Sequence, residues 1–424
     1  MEIKARRKTM KAIHFGFAAV LALFATAADA ATTITIDNVR QRWPWNNNID
    51  ITYTIAGDDA TVDNVCRVVI TTIVDGTTYT AYDGAVNVNV LPGTHTVTWT
   101  GVPAGVKQSD CKMSARLYTL SVPAGNDYMI VDLVTGAVSY EGLFANSDSF
   151  GGLSGQNLSN ARYNVDRYKS THMALRKIPA GTYQAKRGTG TFAGWTTDKD
   201  YYIGIFCWTT AQYGYIIKRT DGTDATAWSD YSLKSRRWCP NQICGITNPS
   251  ATIASYDSAD AAIDTRRWMP LELLNAKTRM YFDIPTELMH EIACRAGTTT
   301  TYFWGNTASY ASQYAVFNIS GRSTSSQYAD PPGTKKPNNW GLYDMVGNDW
   351  QWCRTYVGEG EPPDVFTPGE GTAGNWYVRG GNLFDKNATD MNSDRRSQAN
   401  PTFSSGNPGY SFRAAYIVPN ATEE

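Results

Sequence analysis

The sequence predicts an α+β protein in two parts: an N-terminal β-sandwich, immunoglobulin-like in the broad sense, and a larger mixed domain rich in irregular loops. Three observations carry this. Between Thr32 and Gly142, short runs such as DITYTI, RVVITTIV, HTVTWTG and SARLYTL alternate apolar and polar residues, with turn signals such as VDG and LPG between them, the pattern of half-buried strands at regular spacing. Beyond them, only two stretches carry helix signals. The composition adds 25 Tyr, 13 Trp and 36 Gly with 18% charged residues, which suits β-rich or irregular structure pinned by aromatic anchors better than helical bundles.

Taken in order, residues 1–30 read as a secretory signal. A basic start (Lys4, Arg6, Arg7, Lys8, Lys11) precedes an apolar run from Ala12 to Ala27 and a small-residue stretch ending at Ala30. The run is too short for a membrane span, so the chain is expected to be exported, without a transmembrane segment. Residues 31–143 form the expected β-sandwich, with Trp43 and Trp45 tucked under the first strands. Residues 144–167, rich in Gly, Ser and Asn, read as a linker, and 168–424 as the second domain. There one helix should follow Thr209 or Thr210, and another Thr286 as N-cap, with Met289, Ile292 and Ala293 on one face and Gly297 just past its end.

With 424 residues the chain is long enough for two or three domains, and 38 basic residues against 39 acidic give a net charge of -1. That balance creates no field to attract nucleic acid or an anionic membrane. Export permits disulfides among the seven cysteines. Cys66 with Cys111 is the simplest pairing, and Cys239 and Cys244 read as a local disulfide or free thiols rather than a zinc site.

Residues 341–353, GLYDMVGNDWQWC, crowd acids, amides and two tryptophans into one segment. Asp344, Gly347, Asp349 and Gln351 would place two side-chain oxygens and two backbone carbonyls around a hard cation, with calcium the natural occupant. Trp350 and Trp352 alternate with Gln351 at strand period and should point to the opposite, buried face.

Several segments together resemble the sulfatase-modifying-factor family, whose best-known members are formylglycine-generating enzymes and whose fold is a variant of the C-type lectin fold. The matching stretches are MALRKIPAGTY (173–183), YYIGIFCWTTAQY (201–213), LNAKTRMYFDIPTELMHEIACRAGTTTTYFWGN (274–306), KKPNNWGLYDMVGNDWQWC (335–353), RGGN (379–382) and SFR (411–413), in the family's order. The resemblance implies a structural calcium at the 344–351 segment, usually with glutamate where Gln351 stands, and a copper-binding cysteine pair shortly after RGG. Residues 382–401 contain no cysteine. Asp, Asn and Ser do not replace thiolate softness toward Cu(I), so copper and oxidase activity of that type are not expected. The four histidines do not form the cluster that non-haem iron needs, and His290 reads as a core residue.

What remains is a recognition surface. Trp376, Asn382, Phe384, Asn387, Asn392, Arg395 and Arg396 combine adaptable amides with aromatic and guanidinium anchors, a composition suited to a protein or glycan ligand. This stretch also resembles the variable segments of proteins diversified by retroelements, which are often rich in Asn. The alternative is a formylglycine-generating or related metal-dependent oxidase with a non-standard site.

Overall fold

The computed structural model describes residues 32–420 apart from 43, 45, 58–64, 85–92, 120, 145–154, 187–189, 217–269, 319–328, 358–363, 368–374 and 400–408. The expected signal segment, Trp43 and Trp45, and Cys239 and Cys244 lie outside the described residues.

The N-terminal part is all β. Strands β1 (Thr33–Gln41), β2 (Ile49–Ala56) and β5 (Gly93–Trp99) form one antiparallel sheet in the order β1-β2-β5. Strands β3 (Val65–Val74), β4 (Thr77–Asp83) and β6 (Lys112–Thr119) form a second, in the order β4-β3-β6. The alternation read from DITYTI is realised in β2, where Ile49, Ile51, Tyr53 and Ile55 are buried. They share one core with Val68, Ile70, Ala81 and Trp99. Period-2 patterning thus fixes which face of each strand leaves water.

The expected Cys66–Cys111 bridge does not form, and Cys111 is a free thiol. Strands β3 and β6 pair antiparallel with Ile73 opposite Lys112 and Arg67 opposite Tyr118. The two cysteines therefore sit at opposite ends of the pair, roughly 25 Å apart at ~3.4 Å per residue, far beyond disulfide reach.

The larger part is built on a six-stranded sheet in the order β13-β18-β12-β9-β7-β8. Its strands are β7 (Tyr128–Asp132), β8 (Val138–Glu141), β9 (His172–Ile178), β12 (Tyr201–Gly204), β13 (Phe282–Asp283) and β18 (Ala415–Ile417). Both faces are covered. Tyr128 and Ile130 join one core, while Met129 and Val131 join the other, which is why YMIV reads as a continuous apolar run rather than an alternation. This sheet moves the expected boundary at 143/144 toward the N-terminus, because β7 pairs with β8 on one side and with β9 on the other.

The expected linker is also partly structural. Residues Gly155–Tyr163 form helix α1, with Leu158 and Tyr163 buried. Its side chains grip the sheet: the Arg162 guanidinium pairs with Glu141 at 3.4 Å, and the Tyr163 hydroxyl also donates to Glu141.

Helix α2 (Thr210–Ile216) starts as expected after Thr209, and helix α3 (Pro270–Thr278) follows in the chain. Helix α4 (Glu287–Arg295) has Thr286 as its N-cap, whose hydroxyl accepts from the Met289 N–H. Ala296 and Gly297 close it in the left-handed region. A hairpin, β10 (Gly181–Lys186) with β11 (Phe192–Thr197), packs beside α4.

A four-stranded sheet, in the order β16-β15-β14-β17, supports the C-terminal loops. It comprises β14 (Trp350–Tyr356), β15 (Trp376–Arg379), β16 (Arg396–Ala399) and β17 (Tyr410–Ser411). At the outer edge of the six-stranded sheet, the Asn275 side chain covers β13. Its Oδ1 accepts from the Phe282 N–H at 2.6 Å, and its Nδ2 donates to the Phe282 carbonyl at 3.0 Å.

Candidate functional site: the 341–351 loop and the segment after Arg379

Residues 341–351 are buried throughout, so their backbone groups must find partners inside the protein. The loop does so by tying together segments far apart in the chain. The Gly347 N–H donates to the Gly380 carbonyl, the Asn348 N–H to Val316, and the Leu383 N–H returns to the Asn348 carbonyl. The Asn348 side chain imitates a strand: its Oδ1 accepts from the Asp330 N–H at 3.0 Å, and its Nδ2 donates to the Asp330 carbonyl at 2.9 Å. Asp344, Gly347 and Asn348 all run at positive φ, which Asp and Asn tolerate better than other side-chain-bearing residues.

The strand that follows obeys the expected alternation. Trp350 and Trp352 enter the core on one face of β14. Gln351 points the other way, into a fully buried polar cluster. Its Oε1 accepts from Arg413 Nε at 2.6 Å and lies 2.9 Å from His290 Nε2, while its Nε2 donates to the Asp344 carbonyl at 2.7 Å. Arg413 is 0% exposed and also donates to the carbonyls of Gly204 and Tyr343. Burial, together with Arg379 and Arg413, holds His290 well below the usual histidine range. It is neutral and, as expected, part of the core.

Of the four expected cation ligands, the structure brings Asp344 to the loop with one carboxylate oxygen engaged by the Gly333 N–H at 2.7 Å. The other, Oδ1, is buried without a hydrogen-bond partner among the described residues. Burial raises the Asp344 pKa, while the Gly333 N–H, Arg413 and Lys169 act in the opposite direction. The Gly347 carbonyl accepts from the Asp349 N–H. Gln351 turns its nitrogen toward the loop and its oxygen toward a guanidinium. A hard cation takes six to eight oxygens. An amide that presents its nitrogen to the loop and commits its oxygen to a fixed guanidinium supplies none of them, so residue 351 does not fit calcium.

A second buried cluster, which sequence reading missed, anchors the segment after RGG. Arg379 Nη1 donates to Glu287 at 2.9 Å and Nη2 to Glu291 at 2.6 Å, while Arg396 Nη2 meets Glu287 at 2.8 Å. Arg295 adds a 2.7 Å bond to Glu291. Burial acts to lower the Arg379 pKa, but Glu291 and Glu287 outweigh it and raise it above the ordinary value. The available signal was the spacing of Glu287, Glu291 and Arg295, which puts all three on one face of a helix.

The structure divides the expected ligand residues into two groups. Trp376 is 3% exposed and lies edge-on to Tyr356 at 5.1 Å, so it belongs to the core and not to a surface. Asn382 is largely buried and its Oδ1 accepts from the Phe384 N–H, shaping a turn. Phe384 packs against Val316, Ala329 and Leu383. Arg395 pairs with Asp385 and Asp390, and Arg396 is committed to Glu287 and lies 3.6 Å over the Tyr377 ring. Asn387, exposed, and Asn392, half-buried, remain near solvent, each bonded within its own turn.

A cleft of about 500 Å³ opens alongside, lined by Ser312, Val316, Phe317, Asn318, Asp330 and Lys335 among others. It adjoins the same turn through the Asn318 N–H, which donates to the Asp385 carbonyl at 2.8 Å.

Cys207, Cys294 and Cys353 are buried and free. Burial pushes the Cys207 and Cys294 thiols up to about 12 and raises Cys353 as well, so all three are thiols at neutral pH.

The model of the sulfatase-modifying factor enzyme 1-like domain matches residues 165–416. This chain belongs to that family. Within this sulfatase-modifying-factor family, the chain is 30% identical over 142 residues to the formylglycine-generating enzyme of Streptomyces coelicolor, covering 30% of this chain and 45% of that protein. It is 34% identical over 79 residues to the formylglycine-generating enzyme of Mycobacterium tuberculosis, covering 17% and 26%. The chain thus spans less than half the length of these curated relatives. Among solved structures it is similar to Treponema denticola variable protein 1, with TM-score 0.43, 16% identity, and 58% of this chain and 95% of that one covered. PvdO from Pseudomonas aeruginosa gives TM-score 0.42 and 17% identity, with 58% and 94% covered.

Proposed function

We infer that this protein is an exported binding module. In this reading the sulfatase-modifying-factor domain is a rigid scaffold, and the turns after Arg379 present a polar surface to a protein or glycan ligand. The N-terminal β-domain, of immunoglobulin-like type, would serve as its attachment or spacing unit. The observation that carries the reading is the division of labour in residues 375–399. Arg379, Arg395, Arg396 and Trp376 are held in ion pairs and core packing, while Asn387, Thr389, Ser397 and Gln398 face water, and a 500 Å³ cleft adjoins the segment at Asp385. Fixed backbones that display adaptable hydrogen-bonding groups bind with little ordering cost.

A glycan array and a panel of purified surface proteins, probed with the wild type and with the double variant Asn387→Ala, Asn392→Ala, test this. A hit that weakens at least tenfold in a variant with unchanged melting temperature supports the reading. Equal binding by both proteins removes those turns from it. The retroelement version requires a neighbouring reverse transcriptase gene and a near-repeat of the coding sequence for 376–413 that differs at adenines; without them it fails.

Family membership and identity to formylglycine-generating enzymes favour a second reading, an oxidase with a non-standard site. Incubating the protein with copper, oxygen and a sulfatase-motif peptide, then weighing the peptide, decides between the two. Conversion of the peptide cysteine would establish the enzyme.

A further inference from the structure

We propose that Gln351 and Arg413 form an internal latch that closes the 341–351 loop without a metal ion. Positive charge in this part of the protein is supplied covalently, by a guanidinium.

The two ends of the Gln351 amide face neighbours of opposite hydrogen-bonding sense. Arg413 Nε can only donate, so the amide atom 2.6 Å away must be the oxygen. The nitrogen is then directed at the Asp344 carbonyl, 2.7 Å away, and donates to it. One planar group bridges the guanidinium and the loop, and each of its ends meets a partner of the correct sense. His290 Nε2, 2.9 Å from the same oxygen, completes the acceptor side as the N–H tautomer. Arg413 is itself held on three sides, by Gln351, Gly204 and Tyr343. Its charge also opposes the cost of burying the Asp344 carboxyl, as does that of Lys169.

The identity of residue 351 decides the outcome. A carboxylate there would keep one oxygen on Arg413 but set the other against the Asp344 carbonyl at hydrogen-bond distance. Two acceptors facing each other in a buried site need a cation between or beside them. The amide removes that need by exchanging an oxygen for a donor. The turns that hang from this loop, through Gly347 to Gly380 and through Asn348 to Leu383, therefore keep their shape where calcium is scarce.

The test compares the full-length wild type with Gln351→Glu, each melted in chelator and in millimolar calcium, with bound calcium counted by native mass spectrometry. The wild type should carry no ion at this loop and melt at the same temperature in both solutions. Gln351→Glu should melt several degrees lower in chelator, recover in calcium, and carry one more ion than the wild type, because a ligand that binds only the native state stabilises it. If the variant fails to fold in chelator, it is refolded in calcium, and recovery of a cooperative melt counts as the same result. The proposal is overturned if calcium raises the wild-type melting temperature and Gln351→Ala abolishes that rise. It is also overturned if Gln351→Glu matches the wild type in chelator and ignores calcium.

Discussion

At Gly347 the backbone runs at φ 76°, and a Cβ would sit 2.6 Å from the Val316 carbonyl oxygen. Only glycine meets both conditions. Gly347→Ala should cost about 2–4 kcal/mol from strain and displacement of the 316 segment, read as a lower denaturant midpoint with unchanged slope. His290 sets a pH dependence. The unfolded chain takes up a proton at its histidine near pH 6.5, whereas burial first, and Arg379 and Arg413 next, keep the folded ring neutral well below that. The unfolded state therefore binds more protons, and stability should fall as pH drops below about 6.5, by at most ~1.4 kcal/mol per pH unit from this group. Denaturation at pH 7.5, 6.5 and 5.5 should show a shallower decline for His290→Gln than for the wild type. At this scale the sequence revealed what depends on neighbours in the chain. The alternation of Trp350, Gln351 and Trp352 was readable, because strand geometry alone fixes it. The contact among His290, Gln351 and Arg413 was not, since those residues are separated by long stretches of chain and meet only through packing.

Among the elements, α4 was the most legible, with its Thr286 cap, its apolar face and Gly297 beyond its end. Thr286 also donates to the Val365 carbonyl at 2.5 Å, so Thr286→Ala should cost roughly 1–2 kcal/mol and Thr286→Ser much less, as chemical denaturation would record. The same helix carries Glu287 and Glu291 against Arg379. Arg379→Met leaves two buried carboxylates short of a partner and should destabilise by about 3–5 kcal/mol. Adding Glu291→Gln to that variant should return part of the loss, measured as a positive coupling in the double-mutant cycle. Helix α1 was hidden for a physical reason. In GQNLSNARY only Leu158 is a large aliphatic residue, so no apolar stripe signals a helix. Its burial comes from polar grips on the sheet, among them Arg162 and Tyr163 on Glu141 and the Ser159 hydroxyl accepting from the Phe144 N–H.

For the molecule as a whole, the family domain and the β-rich N-terminal part were legible, but the seam between them was not. Strands β7 and β8 follow the N-terminal strands in sequence yet complete the sheet of the following domain, and strand pairing of this kind leaves no local mark. A chain beginning at residue 121 should therefore give a cooperative melt, whereas one beginning at 144 loses two strands and bares the apolar partners of Tyr128 to Val131. Calorimetry on the two chains would distinguish these outcomes. The cover that Asn275 lays over Phe282 has a further consequence. An uncovered strand edge is a template on which identical molecules can dock and grow into fibres. By filling both outward hydrogen-bonding groups of Phe282 with one amide, the chain denies that template to its own copies at this edge.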